Sequence, residues 1–120
     1  MGEAMTTEQL ICPTEITLRV IGGKWKPVIL WHLSGGTKRF SELKRAIPGV
    51  TQRMLSQQLR ELERDGVVLR KVYAQVPPKT EYSLTVFGRT LVPILRLMCK
   101  WGAEHARRLR NHGRITAIAA

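Results

Sequence analysis

Long apolar runs are missing from this chain. The longest, PVILWHL from Pro27 to Leu33, falls far short of the ~20 residues that a membrane-spanning helix needs. The opening MGEAMTTEQL has neither the basic nor the apolar region of an export signal, and the acidic residue after Gly2 tells against the loose myristoylation pattern that MGEAMT matches. Cysteine is scarce too. Cys12 and Cys99 lie far apart, which excludes a disulfide framework and, without an export signal, fits a reduced, cytoplasmic protein. No His/Cys cluster has zinc spacing, no G-x-x-x-x-G-K loop is present and no nucleophile-base pair stands out, so no metal, cofactor or enzymatic activity is expected. Aromatic residues make up 6% of the chain, and the faces expected to point outward carry no Phe or Tyr cluster that could stack single-stranded nucleic acid. Acidic residues are also few: nine Asp and Glu against twenty Lys and Arg, a formal net charge of +11. That imbalance exceeds what solubility asks for and points to a polyanionic partner, nucleic acid or an anionic membrane surface.

What is present organises into one domain. The 120 residues suffice for one hydrophobic core, and there are no repeats, low-complexity tracts or long linkers. The core is expected over about 12–106, with loosely ordered ends at 1–11 and 110–120. Pro13 suits the first position of a helix running to about Ile21, and Gly22-Gly23 ends it. Lys24 to Leu33 is apolar nearly all round, as a buried helix would be, and SGG stops it. Phe40 to Ile47 reads as a helix with Ser41 as N-cap and Phe40, Leu43, Ala46 and Ile47 inward. PGV breaks it, and Thr51 caps the next helix. Helix, three-residue turn, helix is the spacing of a helix-turn-helix unit.

The second helix of that unit, TQRMLSQQLRELERDG, places Leu55, Leu59 and Leu62 on one face and Arg53, Gln57, Arg60 and Arg64 on the other. After Gly66 the period changes to two. VVLRKVY and TEYSLT read as antiparallel strands, joined by a loop that two prolines stiffen, with Lys79 near its base. Val86 to about Leu109 is helical in pattern, capped by Thr85 and kinked or divided at Pro93. The expected fold is therefore mainly α with a small two-stranded β-wing, a winged helix-turn-helix.

Such a helix fits the major groove of double-stranded DNA, which is about 12 Å wide. Near its start, Thr51, Gln52, Arg53, Ser56 and Gln57 are the candidate contacts. Arginine can bond guanine O6 and N7 together, and glutamine can bond adenine N6 and N7. Arg60 and Arg64 are placed for phosphates or for solvent. Lys79 on the wing is a candidate for a phosphate or the minor groove, and Lys38 and Arg39 for the flanking backbone. Two other readings stand beside this one. The arginines of this helix could simply pair with Glu61, Glu63 and Asp65 on a solvated surface, and a basic protein could bind DNA or RNA architecturally, without sequence preference.

The stretches CPTEITLRVIGGKWKPVILWHL, KRFSELKRAIPGVTQRMLSQQLRELERDGVVLRKVY and VPPKTEYSLTVFGRTLVPILRLMCKWG together resemble the HxlR-type winged helix-turn-helix regulators, relatives of the MarR group. The resemblance covers most of the chain. It implies a homodimer, held largely through its first and last helices, that binds a near-palindromic operator and regulates transcription. Leu91, Ile94, Leu95, Leu97, Met98 and Trp101 spread over more of the last helix than one small core can cover, which gives that dimer interface a physical basis. The resemblance also marks Cys12, just before the first helix, as a candidate sensor of oxidants or electrophiles. A thiol at a helix N-terminus is activated by nearby amides, although Glu15 one turn away would act in the opposite sense. Cys99 reads as a small buried hydrophobe, His32 as a satisfied core histidine, and Trp25, Trp31 and Trp101 as packing residues. The arginines of the tail, Arg107, Arg108, Arg110 and Arg114, have phosphates or solvent open to them. No residue names a small-molecule effector.

Overall fold

The computed structural model describes residues 11–116. The expected loose ends at 1–10 and 117–120 and the Gly2 pattern lie outside the described residues. Among the described residues six helices and three strands follow in order: α1 (Pro13–Ile21), α2 (Lys26–Ser34), β1 (Lys38–Arg39), α3 (Phe40–Ala46), α4 (Gln52–Arg64), β2 (Val68–Tyr73), β3 (Lys79–Leu84), α5 (Val86–Arg89) and α6 (Val92–Asn111). This is a winged helix-turn-helix. Among the described residues no helix is long and apolar enough to cross a membrane.

The core forms where apolar faces converge. Ile29, Leu30 and Leu33 of α2, Leu43 of α3, Leu55, Leu59 and Leu62 of α4, and Val67 and Val68 at the entry to the wing are all buried in one cluster. Burying a leucine fully is worth roughly 1.5–3 kcal/mol, so these three leucines fix how α4 is rotated about its axis. The α3–α4 turn is set by chain chemistry. Gly49 takes the left-handed conformation at φ 84°, Val50 tucks into the core, and Thr51 Oγ1 accepts a hydrogen bond from the Met54 amide at 3.1 Å.

The sheet has three strands rather than two, in the order β1-β3-β2, all antiparallel. Lys38 and Arg39, expected in the approach to α3, form the added strand opposite Tyr82 and Glu81. Ser41 is not the N-cap of α3. Arg39 holds that place, and its backbone N–H donates to Glu42 Oε1 at 2.7 Å. Ala46 is exposed rather than inward. Pro93 divides the last segment as expected: it falls in the first turn of α6, where its missing N–H costs nothing. α6 continues to Asn111, so residues 110 and 111 belong to a helix and not to a loose end.

Candidate nucleic-acid interface

The candidate reading residues stand where the buried leucines force them. Thr51, Gln52, Arg53, Gln57 and Arg60 are exposed and Ser56 is half-buried. Arg53, Ser56, Gln57, Arg60, Glu61 and Arg64 line one shallow groove along α4. A second hollow opens between α4 and the wing, lined by Ser56, Arg60, Glu63, Arg70 and Tyr82. Arg70, opposite Tyr82 in the β2–β3 ladder, did not stand out in the sequence. The alternation of the strand could have flagged it as a wing cation, but its approach to α4 depends on how the sheet packs.

The backbone-gripping candidates are brought together only in part. Arg39 and Lys79 share a hollow at the wing base with Phe40, Ser41, Pro78 and Thr80, whereas Lys38 lies on β1 facing the Tyr82 position. Lys79 is already engaged: its Nζ stands 3.7 Å from Glu81 Oε2 and 4.2 Å from the centre of the Tyr73 ring. Lys71 approaches the same ring at 4.9 Å. Cation–π and ion-pair contacts at such exposure are worth roughly 1 kcal/mol or less, so they orient the lysine without neutralising the wing.

Glu61 departs from the expectation that it would pair with arginines of its own helix. Its Oε1 lies 2.6 Å from Nζ of Lys26 on α2, and its Oε2 accepts a hydrogen bond from Gln57 Nε2 at 3.4 Å. The hydrogen bond and charge of Lys26 hold the Glu61 carboxyl below the usual carboxylate range, with smaller help from Gln57 and Arg64. Among the described residues Arg64 forms its one ion pair with Asp65, at 4.0 Å. The arginines at 53 and 60 make no ion pair among the described residues, which keeps the groove cationic.

Residues 20–110 match the sequence profile of the HxlR-like helix-turn-helix family. The chain belongs to that family. Among HxlR-like relatives, the HTH-type transcriptional regulator YtcD of Bacillus subtilis is 63% identical over 95 residues, covering 79% of this chain and 75% of the relative. The structure of the redox regulator HypR in its reduced form superposes with a TM-score of 0.79 at 57% identity, over 83% of this chain and 99% of that one. Its oxidised form superposes with a TM-score of 0.75 at 61% identity, over 78% and 96%.

Away from α4, this HxlR-like chain carries two features with functional weight. Cys12 is exposed and occupies the N-cap of α1. Hydrogen bonding by the Thr14 side chain, then by the Thr14 amide and, more weakly, the Glu15 amide, holds its thiol below the ordinary value. Glu15 thus acts through its backbone in the opposite sense to that expected of its carboxylate. Cys99 is exposed rather than buried, at the edge of an apolar groove shared with Pro27, Val28, Trp31, Leu95 and Met98. The apolar residues of α6 and its N-cap Leu91 divide into two sets. Leu95, 3% exposed, and the partly buried Leu91 pack into the chain's own core, so Leu95 has no surface to offer a second subunit. Ile94, Leu97, Met98 and Trp101 are uncovered, Leu97 and Trp101 by 67% and 57%. Trp101 stacks on His105 with ring centres 4.6 Å apart. Ile16 and Leu18 of α1 are exposed as well. Trp31 is 41% exposed and His32 half-buried, so neither is a fully enclosed core residue.

Proposed function

We propose that this chain is a cytoplasmic transcriptional regulator that binds double-stranded DNA sequence-specifically as a homodimer on a near-palindromic operator. The observation that carries the reading is the rotation of α4: its leucines are buried to 1% or less, and its Arg and Gln side chains line the open groove. Gln52, Arg53, Ser56 and Gln57 read base edges. Lys38, Arg39, Thr51, Arg60 and Lys79 hold the sugar-phosphate backbone. The names of the relatives, HTH-type transcriptional regulators, support the same role, which is not enzymatic.

The dimer is supported by the apolar surface of α1 and α6 and by shape. The radius of gyration is 17.0 Å, against the about 13–14 Å of a compact chain of this length. Ile16 and Leu18 of α1 and Ile94, Leu97, Met98 and Trp101 of α6 leave apolar surface bare. A two-fold pair would set its reading helices in successive major grooves about 34 Å apart. Cys12 modulates operator affinity on oxidation, a reading that its exposure and depressed pKa support, together with likeness to a redox regulator.

Selection of bound fragments from random DNA, followed by anisotropy titration, tests the reading. Specific sites bind at least ~10³-fold more tightly than random DNA. Arg53→Ala lowers discrimination between sequences, while Lys79→Ala weakens all sequences alike and flattens the salt slope by about one. Uniform weakening in both variants, or equal affinity for random DNA and selected sites, contradicts it and favours architectural binding.

A further inference from the structure

Lys26 is the one charged residue buried among the described residues, and it spends its charge on the groove helix. Its side chain is 10% exposed and that of Glu61 28%. A buried ammonium is costly to leave unpaired, so Lys26 fixes the Glu61 carboxylate from behind, through Oε1. The other oxygen, Oε2, accepts from Gln57 one helical turn earlier. An ionised carboxylate only accepts hydrogen bonds. The Gln57 amide therefore turns its nitrogen toward Glu61, which leaves its carbonyl free on a side chain that lines the groove with Arg53, Ser56, Arg60 and Glu61 itself.

We infer that Lys26 and Glu61 are positioning residues that set the polarity of Gln57, and so decide which base pair it accepts. Their part in base choice is exerted through Gln57, although Glu61 also lines the groove. The inference rests on the reading of α4 as the base-reading helix. With its carbonyl outward and one N–H left over, Gln57 matches adenine, which offers the N6 donor beside the N7 acceptor. It meets guanine badly, because guanine offers two acceptors, O6 and N7. Removing the charge of Glu61 reverses this logic. In Glu61→Gln the ammonium of Lys26 claims the new amide's carbonyl, the new NH₂ group faces Gln57, and the Gln57 amide turns over to present its own NH₂ to the groove. That orientation suits guanine.

The test is a scan of all four base pairs through one operator half-site by anisotropy at fixed salt. It uses the 120-residue chain as wild type, Gln57→Ala, Glu61→Gln and their double variant. Wild type disfavours guanine relative to adenine by about tenfold at one position, the size of one hydrogen bond satisfied or opposed. Glu61→Gln erases or inverts that ratio at the same position only, and leaves the ratios at the Arg53-dependent positions intact. In the Gln57→Ala background Glu61→Gln changes no ratio there. A further variant, Lys26→Met with Glu61→Gln, strands no buried charge and loses the discrimination without inverting it, which keeps the test open if the single substitution unfolds the chain. Equal weakening of every sequence by Glu61→Gln, or the same ratio change with and without Gln57, overturns the relay alone. Base preference unchanged at every position in Gln57→Ala overturns the relay together with the role of Gln57 in base reading.

Discussion

Cys12 shows how a single position acquires chemistry from its neighbours. It precedes α1, its carbonyl accepts from the Glu15 amide at 2.8 Å, and the Thr14 side chain is the largest of the influences that lower its pKa. Because the thiolate is the nucleophile, a lowered pKa means more reactive species at neutral pH than free cysteine provides. Alkylation of Cys12 followed against pH in a Cys99→Ser background should reach half its maximal rate below the ~8.5 of an ordinary thiol. Thr14→Ala should move that midpoint upward. A midpoint at or above the ordinary value, or one that Thr14→Ala leaves in place, removes the activation. If Cys12 also controls DNA binding, diamide lowers operator affinity in wild type and not in Cys12→Ser.

At the scale of elements, helices and wing hold each other through close backbone approaches as well as side chains. α5 seats against the start of the wing at Gly88, where a Cβ would collide with the carbonyl of Val67. Thr85 ties the same corner, donating through Oγ1 to the Gly66 carbonyl at 2.7 Å and accepting from the Gly88 amide at 2.9 Å. Gly88→Ala should therefore destabilise the fold by about 1–3 kcal/mol, as overpacking does, read as a lower urea midpoint with an unchanged slope. A variant as stable as wild type would mean that the corner opens freely.

These elements were legible to different degrees. α1 was readable to the residue, and the α3–α4 turn and Thr51 cap nearly so, because proline, glycine and threonine act locally. β1 was not, since two residues carry no period and Lys38 finds its partner, Tyr82, more than forty positions later. A long separation also hid the Lys26–Glu61 pair. The period of α4 placed Arg53 and Gln57 outward, but nothing local told Glu61 to turn to Lys26 instead of Arg64. The apolar pattern of α6 likewise could not separate Leu95, which faces the core, from Leu97 and Met98, which do not.

At the scale of the whole molecule, one chain carries an arginine-lined groove on α4 and apolar side chains on α1 and α6 that it leaves uncovered. Leu97→Glu with Trp101→Glu places charge on the bare part of α6, away from the core. Sedimentation should show this variant as a monomer with native helix content, and its operator affinity should fall because one half-site alone remains to be held. A variant that stays dimeric would move the interface elsewhere. The claim on which the rest depends is that the outward face of α4 enters the major groove, and guanine methylation interference reads that contact directly. N7 of guanine opens to the major groove, so methylation at specific guanines of a selected half-site should block the wild-type protein, and the block should vanish at one of them in Arg53→Ala. Interference confined to adenine N3 in the minor groove, or a guanine pattern identical in both proteins, would contradict the account.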